Sequence, residues 1–293
     1  MSVTIPTAVL ERYRRISRYN SPYPAHGQGA AIDLYPWDNR GISPISGTIE
    51  TIQTVGCPDR SYAASTDHLI VIALDDEWCA RAESQPGTMA RILHVIPSID
   101  VGDRVEVGDD LGPLTRSGFF GPWVANHLHL GFRSPGVNML RASGSLPVSL
   151  DVEVDPISWD GTGTVVERGP TYAVLDQPIH PNPGEAFAAL ASDSGVPLDG
   201  GLTHYAGGGA FGVIDGPQSL RGTVVGRPND RGLEWEPIAV RANGTQVTGL
   251  SLTAARDAGW GVKIIHPPAE LRVGDAARVT IEPETNPIRL GTR

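Results

Sequence analysis

Glycine and proline interrupt this chain so often that few segments could run as long helices. With 35 glycines and 25 prolines among 293 residues, the apolar runs are short and each is closed by a turn. Such punctuation argues for many short strands. The expected fold class is all-β, and 40% hydrophobic residues suffice to bury a core. At about 150 residues per domain, the length suggests two domains.

The best helix candidate is residues 4–16 (TIPTAVLERYRRI), where Thr4 could cap, Pro6 suits a first turn, and apolar residues recur at helical spacing. Strands are expected in AAIDLYP, ISPISGTIETIQTVG, DHLIVIALDD, ARILHVIPSI, VGDRVEVGDDLGPL and NHLHLGFR. After Arg133 the chain turns Pro/Gly/Ser-rich, which places a linker or domain edge at about 140–160. Further short strands follow, among them GTVVERG, YAVLD, PIAVRA, QVTGLSLTAA, WGVKIIHPP and ARVTIEP. The expected organisation is an N-terminal helix or arm over 1–22, a β-rich domain over 23–150, and an accessory β domain, a small sandwich or barrel, over 151–293.

The formal charge of −10 argues against a nucleic-acid partner, since a phosphate backbone calls for basic surface. No stretch approaches the ~18 apolar residues that cross a bilayer, and the N-terminus lacks the pattern of a secretory signal. The expectation is therefore a cytoplasmic protein with no membrane partner. Cys57 and Cys79 lack metal-ligand or redox spacing. They read as small buried residues, with a disulfide left open.

The strongest local signal is Asn126-His127-Leu128-His129-Leu130-Gly131-Phe132. Side chains two apart on a strand share a face, so His127 and His129 look one way while Leu128 and Leu130 look towards a core. Paired imidazoles can divide metal ligation and proton transfer between them. The alternative is the polar, solvent-facing side of an edge strand. His26 and Asp33 are joined by a Gly-rich turn, with Asp33 inside an apolar run. They could add a nitrogen and an oxygen ligand to His129, although backbone amides could also satisfy Asp33. His94 is a lone histidine in an apolar strand, which by itself more often means a satisfied core residue. His68 opens a strand, whereas His180, His204 and His266 sit in Pro- or Gly-rich surroundings.

Taken in order, these pieces resemble the lysostaphin/LytM-like zinc endopeptidases. The resemblance covers residues 23–133. It rests on His26 and Asp33-Leu34, the strand Ile92-Leu93-His94, the turns through Gly102, Gly108 and Gly112, and His127-Leu128-His129-Leu130. It implies a hydrolase that binds one zinc ion per chain through His26, Asp33 and His129 and cleaves a peptide or amide substrate. His127 would be the base that takes a proton from the activated water, and His94 a second imidazole that stabilises the oxyanion. The family's first histidine stands four residues before its aspartate, a place taken here by Gly29, while His26 stands seven before Asp33. The loop must either return His26 to the site or leave the first ligand to Gln28 or water. A non-catalytic metal- or protein-binding module on the same scaffold is the alternative.

Overall fold

A computed structural model describes residues 2–141 and 143–291. The chain is all-β, and its contacts divide it into two compact units, residues 1–16 with 28–152 and residues 17–27 with 153–293.

In the first unit, six antiparallel strands follow one another across the sheet. The order is Ile32–Tyr35, Leu128–Arg133, Met89–Leu93, Thr66–Leu74, Gly47–Gly56 and Arg104–Val105. Leu128, Leu130 and Phe132 are fully buried, as are Ile32 and Leu34, and Phe132 stacks on Trp78. The alternation of apolar residues in HLHLGF thus fixes which face meets the core. A smaller pairing joins Arg40–Ile42 to Asp110–Pro113. There Gly112 has φ 130°, and a Cβ at this position would meet the Ile96 carbonyl at 2.0 Å. Only glycine permits so close a backbone approach.

The helix expected over 4–16 is reduced to one turn, Thr7–Leu10. Val3–Ile5 instead pairs in parallel with Val148–Leu150, and Arg15–Ser17 is also a strand. Pro6 occupies the N-cap position, where it offers no side-chain cap. Local helical spacing yields here to strand pairing with distant residues.

The second unit contains a continuous series of twelve strands, beginning with Gln218–Leu220 and ending with Thr245–Val247. Leu220 and Val247, from the two ends of that series, belong to one hydrophobic cluster with Trp159, Trp235, Leu250 and Ile264. The sheet therefore curls around its own core. Glycine-rich strands at Leu198–Leu202 and Gly207–Ala210 allow aromatic rings to lie on the backbone. A Cβ on Gly209 would meet the Tyr19 ring at 2.2 Å.

Among the described residues, no helix is long and apolar enough to cross a membrane. Cys57 and Cys79 are both free thiols, the second buried.

Candidate metal and histidine site

Antiparallel register sets the centre of the site. His129 stands directly opposite Asp33 on one side and Leu93 on the other, and directly opposed residues share a face of the sheet. His129 Nδ1 lies 3.1 Å from Asp33 Oδ1, and His127 Nε2 lies 3.5 Å from Asp33 Oδ2. Asp33 is only 2% exposed, so its carboxylate needs compensating partners. The face expected to carry both histidines of the HLH motif does carry them.

His26 falls in the short helix Pro24–Gly27. Its Nδ1 lies 2.6 Å from the Arg18 carbonyl. A carbonyl only accepts, so this nitrogen carries the proton and Nε2 keeps its lone pair. His26, Asp33 and His129 each offer one ligand atom, and these atoms all lie within 4.8 Å of one another. Two imidazoles and one carboxylate form a zinc-type donor set that leaves a fourth position open. The trio could hold a metal ion. The seven-residue spacing thus does not carry His26 away from Asp33.

His127 is buried, and its Nδ1 donates to the Ala125 carbonyl at 2.8 Å, which leaves Nε2 directed as an acceptor. Burial lowers its pKa to about 4. Asp33 opposes that shift, while His94 and His129 add to it. The ring is neutral near pH 7.

His94 closes the Met89–Leu93 strand with φ 73°, a left-handed conformation that a histidine adopts at a cost. Strand alternation would send its side chain away from the face of Leu93. The positive φ breaks that alternation, and the ring lies 5.0 Å from His127 and 5.9 Å from His129, centroid to centroid.

Two features of the site have no counterpart in the sequence reading. Asp67 is fully buried, and its Oδ2 lies 2.5 Å from His94 Nδ1. The only hint was its place next to His68, since a carboxylate opening an apolar strand needs partners. The second feature is the loop between Thr115 and Val124. Its Phe120 ring lies 4.6 Å from His127 and 5.1 Å from His94. Arg116 stacks over Phe120 and donates to the carbonyls of Gly121 and Val124, and Tyr62 Oη donates to the Phe120 carbonyl at 3.1 Å. His94 and His127 are consequently 4% and 2% exposed. The run Gly118-Phe119-Phe120-Gly121-Pro122-Trp123 was the available signal, because consecutive aromatics between glycines suit a structured loop better than a strand.

The other histidines make contacts elsewhere. His68 lies 3.5 Å from Thr54 Oγ1 on the neighbouring strand. In the second unit, His180 bonds to the Ala255 carbonyl and His266 to Thr248, and His204 is fully buried beside Tyr205.

Comparison with known proteins gives two matches to family models. Residues 4–150 match the N-terminal domain, and residues 155–282 the C-terminal domain, of the domain of unknown function DUF8155. No curated protein matches. Among solved structures, the chain is similar to the NMR solution structure of lysostaphin, at 14% identity and a TM-score of 0.30. That alignment covers 96% of this chain and 99% of the other.

Proposed function

For a chain that belongs to the DUF8155 family, we propose a zinc-dependent hydrolase of the LytM-like endopeptidase type. Its substrate would be a peptide or other amide. The observation that carries this reading is the convergence of His26, Asp33 and His129 as a ligand trio, with the imidazoles of His127 and His94 beside it. The order of these residues along the chain also resembles that of the lysostaphin/LytM-like endopeptidases.

His26 Nε2, Asp33 and His129 would hold the ion. Zinc bound there would polarise a substrate carbonyl and bring the pKa of a water molecule to about 7. The remaining roles belong to the protein's own groups. His127 has its proton fixed on Nδ1 by the Ala125 carbonyl, so its Nε2 can accept a proton from the attacking water. His94, when doubly protonated with its Nδ1–H held by Asp67, would face the oxyanion of the attacked carbonyl and donate to it from Nε2. The buried walls around both rings exclude bulk water and strengthen such hydrogen bonds.

The test is metal content by mass spectrometry, with hydrolysis of a peptide library by the same preparations. The expected result is about one zinc per chain, lost in His129→Ala together with cleavage. Hydrolysis retained by the metal-free His129→Ala protein would refute the reading. A second reading, a metal-binding module without activity, is favoured by the cover that Phe120 places over His94 and His127. Full zinc occupancy with no cleavage across the library would select it.

A further inference from the structure

We propose that Asp67 is the positioning residue for His94, fixing its backbone conformation, its ring orientation and the nitrogen that carries its proton. The inference rests on the hydrolase reading only for its catalytic consequence, because the geometry stands without it.

Asp67 uses both carboxylate oxygens. Oδ1 accepts the backbone N–H of His94 at 3.0 Å and that of His68 at 2.7 Å. Oδ2 lies 2.5 Å from His94 Nδ1, and the Ser117 hydroxyl donates to the same carboxylate. One side chain thus grips His94 twice, at the main chain and at the ring. The main-chain bond is made where it is needed, because His94 stands at φ 73° and such a conformation persists only when its surroundings over-determine it. The ring bond selects the tautomer. A carboxylate beside Nδ1 requires the proton there, so Nε2 is the nitrogen turned away from Asp67 and free to face a ligand. Burial alone would raise the Asp67 carboxyl. The hydrogen bond and charge of His94, helped by Ser117 and the His68 N–H, outweigh it and bring the pKa down to about 2.

Ser117 extends the grip to the aromatic loop. Its residue forms a bridge with Ala64, and its hydroxyl also accepts the Phe119 N–H at 3.2 Å. The carboxylate that orients His94 therefore also holds the start of the loop whose Phe120 covers it. Partners of this kind, behind a functional imidazole, commonly contribute about 10–100-fold to affinity or activity.

The experiment is histidine-selective ¹H–¹⁵N NMR on the full chain, wild type against Asp67→Asn and Asp67→Glu. The wild type should show a strongly low-field Nδ1 proton at His94. Asp67→Asn should lose or shift that resonance upfield, and Asp67→Glu should restore part of it. Cleavage, if the hydrolase reading holds, should fall about 10–100-fold in kcat with KM little changed. A wild-type His94 protonated only at Nε2 would overturn the proposal, and so would an Asp67→Asn spectrum identical to wild type at His94. The wild-type spectrum decides even if Asp67→Asn does not fold. A wild type that shows the Nδ1 proton but cleaves nothing would refute the hydrolase reading and leave the positioning role intact.

Discussion

Asp199 accepts a 2.6 Å hydrogen bond from the Ser17 hydroxyl, 182 residues away in sequence and fully buried. Its second oxygen accepts the backbone N–H groups of Arg18 and Tyr19 at 2.6 and 3.1 Å. Through those bonds it sets the Arg18 carbonyl that receives His26 Nδ1. Replacing it by alanine would leave three donors, two of them buried, without this acceptor, at about 1–3 kcal/mol for each buried one before relaxation. We expect Asp199→Ala to lose about 3 kcal/mol in urea denaturation and to retain less zinc than wild type after dialysis. Unchanged zinc retention would separate Asp199 from His26.

Two buried groups should give stability opposite pH dependences. Burial lowers the pKa of His204 to about 3, below its unfolded value of about 6.5. Between those values the unfolded chain binds more protons, so this contribution declines as pH falls from 6.5 towards 3. Burial raises Asp199 to about 6, against its hydrogen bonds. The folded state then holds the extra proton between about 4 and 6, and that contribution declines as pH rises through the window. Buried His127, lowered to about 4, adds a second contribution of the same sign as that of His204, so stability should rise with pH near pH 5. In His204→Gln the opposite contributions of His127 and Asp199 should largely cancel, leaving a nearly flat profile from about pH 4 to 6. A variant profile as steep as that of wild type would contradict the assignment.

Metal removal should register as stability. A ligand that binds only the folded state adds about 2.7 kcal/mol at one hundred times its Kd. Zinc added to metal-free wild type should raise Tm, and the rise should disappear in Asp33→Asn. Equal shifts in both proteins would mean that zinc binds elsewhere.

Phe120→Ala removes the ring that lies against both His94 and His127. A buried phenylalanine reduced to alanine typically costs about 3 kcal/mol or more, which chemical denaturation would detect. Modification of histidines by diethyl pyrocarbonate should quicken at least about tenfold, because burial limits that reaction in the wild type. Modification at the wild-type rate would show that the rings are reached by another route.

Much of the first unit was legible in the sequence because its signals were local. Alternation in His127-Leu128-His129-Leu130 specified both the buried face and the histidine face, and the strand series from Ile32 to Arg133 follows from apolar runs between turns. What escaped depended on long-range contacts. The 4–16 segment reads as a helix, yet Val3–Ile5 is drawn into pairing with Val148–Leu150. Leu198–Leu202 and Gly207–Ala210 are too rich in glycine to read as strands. Glycine is suited there by Tyr19, a ring supplied by a remote segment. Asp67 escaped for the same reason. Its role is defined by His94, 27 residues away and held in a conformation that no periodicity encodes.

The positive φ of His94 sets thermostability against chemistry at one position. A left-handed histidine costs about 1–2 kcal/mol that a glycine would not. A library randomised at residue 94 and selected only for survival on heating should therefore drift towards glycine wherever the Asp67 contact is not worth as much. The survivors would keep the sheet and lose the imidazole, so a stabilising campaign on this scaffold should hold position 94 fixed.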